Sequence, residues 1–219
     1  MRSKPCVVIL GMHRSGTSML AHILIKLGVD MGGDKNMLQP DSGNPLGYFE
    51  DKRFLNLNKK IIGLAGGQWF MPVDRKALFP IFNKYKRKIE KLIDLRYAEA
   101  DEYWGWKDPR NCLTAWMYHQ FLSENKVRYI IIRRNRPDVM LSLYRRNQDM
   151  VNWAKVAKNY DRHILAFLQT DAPRSITVHY EDFVKNRIKA AGEIEKIKRF
   201  LNIKADITKA MDIIQYEKN

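Results

Sequence analysis

Apolar residues follow two patterns along this chain, short continuous runs and longer stretches with helical spacing. The short runs predict buried strands at 5–10, 103–107, 127–132 and 175–180. Apolar residues at helical spacing predict helices at 18–27, 54–64, 75–96, 111–122, 139–144, 152–168 and 188–201. Because strands that alternate with helices form parallel sheets, we expect an α/β fold with a mostly parallel central sheet flanked by helices. No linker or repeat interrupts this pattern, so residues 1–219 are expected to form a single domain.

The first predicted strand leads into a loop bounded by glycines, residues 11–18, with the sequence GMHRSGTS. When such a loop connects a strand to a helix, its backbone N–H groups and the N-terminus of the helix point at one position. A phosphate group can bind there. Nucleotide-hydrolysing loops have a lysine directly after the second glycine. In this chain Thr17 follows Gly16, and the positive charge comes from Arg14 inside the loop. The difference favours a nucleotide without a triphosphate.

Two later predicted strands also end in charged residues. The strand at 103–107 ends in Lys107 and is followed by Asp108, and the strand at 127–132 runs into Arg133 and Arg134. Ligands of open α/β sheets bind at the carboxyl ends of the strands, so we expect these side chains near the loop. No predicted strand ends in a convincing magnesium aspartate, and the cations can neutralise a bound anion. We therefore expect no metal in this site.

With these motifs in place, the chain resembles sulfotransferases that use 3′-phosphoadenosine 5′-phosphosulfate (PAPS), in particular the bacterial and glycan-type members. The resemblance covers roughly residues 5–201 and implies their P-loop fold, which is similar to that of nucleotide kinases. The loop resembles their 5′-phosphosulfate loop, in which Lys or Arg precedes [ST]-G-T-[ST]. This implies a cofactor-binding set of His13, Arg14, Ser15, Gly16, Thr17 and Ser18.

Two further motifs resemble the nucleotide site of that family. Arg134 and Ser142 fit its 3′-phosphate pattern, R-[ND]-x-x-[DE]-x-x-x-S. Arginine offers a fork of charged donors to phosphate, and a helical hydroxyl adds another donor. Tyr180 begins a Y-E-D-[FLM] turn like the one beside the adenine in the family, although it could equally be a buried structural tyrosine.

The resemblance also implies which residues carry out the chemistry. Arg14 and Lys107 would hold the phosphosulfate and stabilise the departing phosphate. In the cytosolic members a catalytic histidine stands two residues after the lysine, but Pro109 occupies that position here. This departure removes the usual base and leaves the acids near the loop as candidates.

Glu50 is the predicted general base, and Asp108 is its alternative. The string that ends in Glu50, NPLGYFE, resembles one in the bacterial and glycan-type members. Glu50 could equally be an acid in the first turn of a helix, which the helix macrodipole favours. Asp108 could equally form an internal ion pair with Arg110. Both alternatives stay open on the sequence alone.

Composition adds bounds on location and partners. The formal charge of +15 fits either solvated helix faces or attraction to a polyanion. No run approaches the roughly 20 apolar residues that span a bilayer. Residues 1–5 lead straight into the first strand, and the two cysteines form no metal-ligand pattern. We therefore expect a cytoplasmic protein without a membrane span, and the sequence indicates no oligomeric state.

The predicted function is transfer of a sulfuryl group from PAPS to a hydroxyl, or less readily to an amine, with adenosine 3′,5′-bisphosphate (PAP) as product. The acceptor is expected to be a glycan or a small metabolite. One alternative is a P-loop kinase or NTPase, which Thr17 in the lysine position disfavours. Another is a basic nucleic-acid-binding protein, disfavoured because the arginines cluster at strand ends and no aromatic-basic RNA motif is present.

Overall fold

A parallel four-stranded sheet forms the centre of the computed structural model, which describes residues 4–41, 44–145 and 151–214. In the described ranges the strands are β1 (Cys6–Leu10), β2 (Trp104–Lys107), β3 (Val127–Arg133) and β4 (Ser175–His179). Their order across the sheet is β2-β1-β3-β4, and every neighbouring pair is parallel. The predicted α/β fold is thus confirmed, and the carboxyl ends of all these strands lie at one edge.

Helices follow most of the strands and cover both faces of the sheet. They are α1 (Thr17–Lys26), α2 (Lys52–Leu64), α3 (Arg75–Glu99), α4 (Asn111–His119), α5 (Arg136–Tyr144), α6 (Trp153–Thr170), α7 (Tyr180–Val184), α8 (Arg187–Leu201) and α9 (Thr208–Met211). The bounds of α1 to α6 and of α8 agree with the predicted helices to within a few residues, whereas α7 and α9 have no counterpart in the list of predicted helices. The extent of the domain, residues 1–219, stays a prediction because both termini lie outside the described ranges.

The alternation of side chains along β1 divides the core into two layers. Val7 and Ile9 are fully buried against α1, α7, α8 and α9 on one face. Val8 and Leu10 are buried on the other face, where α2, α3, α4, α5 and α6 pack. Because successive strand residues point to opposite faces, a continuous apolar run such as β1 requires cover on both sides. β1 is therefore a central strand, and the loop after it is held from both layers.

The structure differs from the sequence prediction at two functionally important boundaries. Glu50 was expected in the first turn of a helix, but Asp51 is the N-cap of α2 and Glu50 lies before the helix. The Asp51 carboxylate accepts a hydrogen bond from the Arg53 backbone N–H at 2.9 Å, so it is Asp51 that stabilises the helix start. The fourth strand ends at His179, and Tyr180 begins α7.

The described residues include no helix that is both long enough and apolar enough to cross a membrane.

Candidate functional site

The loop between β1 and α1 has the geometry of an anion site. α1 begins at Thr17, and its N-cap Gly16 has a φ of 88°, a conformation that glycine adopts at little cost. A Cβ atom on Gly16 would clash with Cδ2 of Tyr180, so close packing also requires glycine there. Arg14 takes the left-handed conformation too, with a φ of 69°. Non-glycine residues in this region store strain, which is common at ligand sites.

A residue that the sequence analysis did not assign to the site supports the start of this loop. The Gly11 backbone N–H donates to Sγ of Cys112 at 3.2 Å. Cys112 is buried near the start of α4, and burial raises the pKa of its thiol to about 12. The thiol therefore stays neutral and acts as a structural acceptor. The sequence could have indicated this role, because Cys112 follows closely after the second predicted strand and so lies at the same sheet edge as the loop.

The predicted 3′-phosphate residues lie against the loop. Nε of Arg14 donates to the Ser142 hydroxyl at 2.8 Å, although these residues are far apart in the chain. A guanidinium nitrogen of Arg134 donates to the Arg14 carbonyl at 3.2 Å. The Arg134 guanidinium also lies 4.3 Å from the centre of the Tyr180 ring, a cation–π contact. The structure thus brings Arg14, Arg134, Ser142 and Tyr180 together, and their roles in binding a nucleotide stay predictions.

A second cluster joins the loop to a buried acid. The Lys107 ammonium donates to Oε1 of Glu50 at 2.7 Å, to the Ser18 hydroxyl at 3.1 Å and to the Tyr48 carbonyl at 2.9 Å. Lys107 and Glu50 are both buried. Burial raises the pKa of Glu50, and the neighbouring Lys107 ammonium opposes this rise. An acid with a raised pKa beside a cation is a common feature of catalytic sites.

Asp108, the alternative base, is fully buried and bound by structural partners. Its Oδ1 accepts from the Arg110 backbone N–H at 3.0 Å and from the Arg110 guanidinium at 2.9 Å. Its Oδ2 accepts from the Asn58 side chain at 2.9 Å. Both oxygens are therefore occupied, and the internal ion pair considered from the sequence is present. This geometry favours Glu50 over Asp108 as the proton acceptor.

Two cavities meet at the loop. The first, of about 240 Å³, lies between the loop and the start of α7, and we call it the tyrosine cavity; its lining includes Arg14, Gly16, Thr17, Ser18, Phe49, Arg134 and Tyr180. The second, of about 310 Å³, is the glutamate cavity, whose lining includes His13, Arg14, Thr17, Ser18, Glu50, Trp69, Lys107 and Arg110. Arg14, Thr17 and Ser18 line both. The loop is therefore the point at which molecules in the two cavities would meet.

Two loop residues lie away from the tyrosine cavity. His13 lines the glutamate cavity, where its ring lies 4.5 Å from that of Trp69. Ser15 is buried and lines a different cavity, beside the end of β3. Thr17, Ser18, Arg134 and Tyr180 line the tyrosine cavity. The contacts of all these residues with a nucleotide stay predictions.

Within the described ranges, no group of three or more His, Cys, Asp or Glu side chains is arranged to hold a metal ion. Independence from metals stays a prediction.

Comparison with known families gives one match that covers most of the chain. A sequence profile of the sulfotransferase family matches residues 5–206. No curated protein matches the chain in sequence.

Similar solved structures include two sulfotransferases and a kinase. The sulfotransferase domain of the olefin synthase from Synechococcus PCC 7002 is 20% identical, with a TM-score of 0.52 over 96% of this chain and 80% of that domain chain. The sulfotransferase STF1 from Mycobacterium tuberculosis is 14% identical, with a TM-score of 0.50 over 98% of this chain and 72% of its own. A sugar kinase from a Janibacter species is 13% identical, with a TM-score of 0.52 over 98% of this chain and 100% of its own. At such identities the similarity shows the fold alone.

Proposed function

This chain belongs to the sulfotransferase family, and we propose that it transfers a sulfuryl group from PAPS to a hydroxyl group, or less readily to an amine, of an acceptor. The main support for this proposal is a pair of hydrogen bonds from the Lys107 ammonium. One goes to the buried acid Glu50 and the other to the hydroxyl of Ser18 in the loop. These contacts support the proposal because they join a buried acid to a loop that has the geometry of an anion site. We also propose a cytoplasmic location for the enzyme.

The tyrosine cavity fits the nucleotide half of PAPS by its chemistry. Arg134 and Arg14 supply charged donors for phosphate, and Ser142 adds a hydroxyl beside Arg14. Tyr180 offers an aromatic ring at the edge of the same cavity, where it could contact the adenine. The free N–H groups at the start of α1, a helix of 10 residues, face the loop. The glutamate cavity on the other side of the loop remains for the acceptor.

The reaction is an in-line displacement at sulfur. The acceptor oxygen attacks the sulfur, the bond from sulfur to the phosphate oxygen breaks, and PAP leaves with that electron pair. The hydroxyl proton passes to Glu50, so the products are the sulfate ester, PAP and a proton. Arg14 and Lys107 stabilise the charge that grows on the departing phosphate, as fixed charged donors do in other transfer reactions.

Lys107 makes three contacts, which match the three hydrogens of its ammonium. When PAPS binds, one of these contacts has to be exchanged for the phosphosulfate. The Ser18 hydroxyl is the natural one to yield, because it belongs to the loop that receives the phosphate. The contact with Glu50 can then persist and hold the carboxylate near the acceptor hydroxyl.

We expect PAP to stabilise the protein against unfolding, with no added effect of magnesium. A ligand that binds only the folded state, at about 100 times its dissociation constant, adds roughly 2.7 kcal/mol. Thermal unfolding with PAP, adenosine 5′-phosphate and ATP–magnesium measures this. If PAP stabilises no more than adenosine 5′-phosphate, the assignment of Arg134 and Ser142 to the 3′-phosphate is wrong. Stabilisation by ATP–magnesium alone would instead support a kinase.

We expect Arg134→Ala to raise the KM for PAPS far more than it lowers kcat. The 3′-phosphate is remote from the transferring sulfur, so its binding contributes equally to the ground state and the transition state. Arg136→Ala is a matched control, since Arg136 pairs with Asp161 at 2.5 Å and does not line the tyrosine cavity. Steady-state kinetics of both variants would decide the point. A large loss of kcat at unchanged KM for PAPS would contradict the assignment.

A further inference from the structure

A row of positive side chains runs along the exposed side of α3. The buried residues of this helix recur at helical spacing from Leu78 to Arg96, so one side of the helix faces the core. On the exposed side, Lys84 is followed after three, four and seven residues by Arg87, Lys88 and Lys91. Residues at these spacings are neighbours on a helix surface. The four cations therefore form one stripe.

The helix α2 adds a fifth cation to this stripe. The Lys60 ammonium lies 5.9 Å from the centre of the Tyr85 ring, and the Lys88 ammonium lies 5.2 Å from the centre of the same ring. Lys60 and Lys88 thus approach one ring from two neighbouring helices. We call the five cations the lysine face: Lys60, Lys84, Arg87, Lys88 and Lys91.

The lysine face has no acidic partner in the described ranges. None of its ammonium or guanidinium groups lies within ion-pair distance of a carboxylate there. Glu90 is the acid that the sequence places between Lys84 and Lys91. Like charges three or four residues apart destabilise a helix. A charged surface of this kind raises the local concentration of anionic partners.

Two exposed leucines extend the lysine face. Leu64 lies four residues after Lys60 on α2, and Leu95 lies four residues after Lys91 on α3, so each leucine is the helix neighbour of a cation. Leu64 is 51% exposed and Leu95 is 47% exposed. At a lipid surface, apolar side chains enter the boundary between headgroups and acyl chains while lysines stay at the headgroups.

Two features favour a lipid surface over a nucleic acid or an acidic protein. Tyr85, the aromatic residue among the cations, is only 6% exposed, so nucleic-acid bases have no ring there on which to stack. The cations of the face are lysines except for Arg87. Lysine is a flexible point charge that suits diffuse negative charge, whereas arginine suits the fixed geometry of a single phosphate or carboxylate.

We propose that the lysine face binds the surface of a bilayer that contains anionic phospholipids, with Leu64 and Leu95 at the level of the headgroups. The stripe from Lys84 to Lys91 extends about 10 Å along the helix axis, so α3 lies along the surface. The cytoplasmic leaflet of a membrane carries such lipids. No residue of the lysine face lines the tyrosine or the glutamate cavity. The inference therefore concerns the location of the protein and goes beyond the proposed chemistry.

Co-sedimentation with lipid vesicles tests this inference. One set of vesicles contains phosphatidylcholine alone, and the other contains phosphatidylcholine and phosphatidylserine in a ratio of about 2:1, both at about 0.15 M salt. We expect the protein to bind the vesicles with phosphatidylserine at least about tenfold more tightly than the neutral ones. Equal binding to both, or no binding to either, would overturn the inference.

Two sets of substitutions separate the lysine face from the general positive charge of the protein. Lys84→Gln, Lys88→Gln and Lys91→Gln together should weaken binding to the vesicles with phosphatidylserine by at least about tenfold. The matched control removes the same charge from exposed lysines on other elements, and it should change the binding by less than about threefold; it combines Lys155→Gln, Lys158→Gln and Lys204→Gln. An equal loss in both sets would assign the binding to general charge and contradict the inference.

The leucines separate a lipid surface from a nucleic acid. Leu64→Gln together with Leu95→Gln leaves the charge unchanged and should weaken vesicle binding by about threefold or more, because the apolar contact with the lipid is lost. The same proteins are also titrated with a single-stranded RNA at the same salt concentration. If the RNA binds more tightly than the vesicles, and the lysine substitutions remove that binding, the face is a nucleic-acid site and the inference is wrong.

Thermal unfolding with PAP shows whether the lysine substitutions act locally. The substituted lysines are exposed and lie outside both cavities, so PAP should stabilise this variant as much as the unaltered protein. A variant that loses its response to PAP as well as its vesicle binding would assign the lysines to the fold and contradict the inference. If PAP stabilises none of the proteins while vesicle binding follows the expected pattern, the proposed function fails and this inference stands.

Discussion

Glu50→Gln is expected to lower kcat by about 10²–10⁴-fold at neutral pH, which is the contribution of a well-positioned base. Glutamine keeps the size of the side chain and can still accept a hydrogen bond from Lys107, but it cannot take the hydroxyl proton. PAP affinity should therefore stay close to that of the unaltered protein, whereas the free energy of unfolding should fall, because the buried Lys107 ammonium loses its charged partner. Measuring kcat, PAP affinity and unfolding on the same preparation tests all three expectations.

The pH dependence gives an independent readout of the same group. Glu50 must be deprotonated to act as a base, so kcat should fall as the pH drops through its pKa. Because burial raises that pKa, the fall should begin at a higher pH than for an ordinary glutamate, whose pKa is about 4.3. The residual activity of Glu50→Gln should lack this step.

Asp108→Asn is the comparison that would reverse the assignment. Loss of the buried charge should disturb the pairing with Arg110 and the bond from Asn58. We therefore expect a less stable protein. If Asp108→Asn were instead folded, able to bind PAP and inactive, while Glu50→Gln turned over normally, Asp108 would be the base.

Arg96→Met is expected to lower the free energy of unfolding by about 3–5 kcal/mol, the usual cost of removing one member of a buried ion pair. The side chain of Arg96 is 1% exposed and that of Asp51 is 0% exposed. The Arg96 guanidinium lies 3.0 Å from Asp30, 3.0 Å from Glu99 and 3.3 Å from Asp51. Methionine would leave the buried Asp51 with Arg53, at 2.7 Å, as its remaining partner.

Urea unfolding of Arg96→Met beside Lys91→Met would test this expectation. Lys91 is an exposed residue of the same helix, and its replacement removes the same charge. It should change the midpoint little, because surface substitutions usually have small effects. Equal midpoints for the two variants would show that the Arg96 cluster contributes no more than a surface charge. Asp51 also caps α2 directly after Glu50, so the same cluster fixes the backbone beside the proposed base.

The loop and the sheet could be predicted because the sequence patterns that indicate them lie within short segments of the chain. The apolar run of β1, the two glycines and the helical spacing after Thr17 lie within one continuous stretch. The position of Arg134 also followed locally, from the apolar run of β3 that precedes it. Parallel pairing then placed these elements at one sheet edge without any further information.

Contacts between distant segments could not be predicted in the same way. Glu50 and Asp51 are adjacent acids, and either could cap a helix. The sequence therefore does not indicate which of the two begins α2. The second carboxylate oxygen of Asp108 accepts a hydrogen bond from Asn58, a residue of α2 that only the tertiary fold brings near. Arg96 did carry a signal, since it continues the buried stripe of α3 at helical spacing after Ile89 and Ile93. A charged residue on such a stripe indicates a buried pair.

The parallel order of the sheet makes the site a late product of chain synthesis and folding. Arg14 is synthesised well before its partners Arg134 and Ser142, and Tyr180 follows later still. Such long-range contacts form slowly, because loop-closure entropy is lost before they contribute. An incomplete chain would carry the recognisable loop without a pocket to bind a nucleotide. The proposed nucleotide binding therefore requires the complete sheet, and a nascent chain would become able to bind only after β4 has joined.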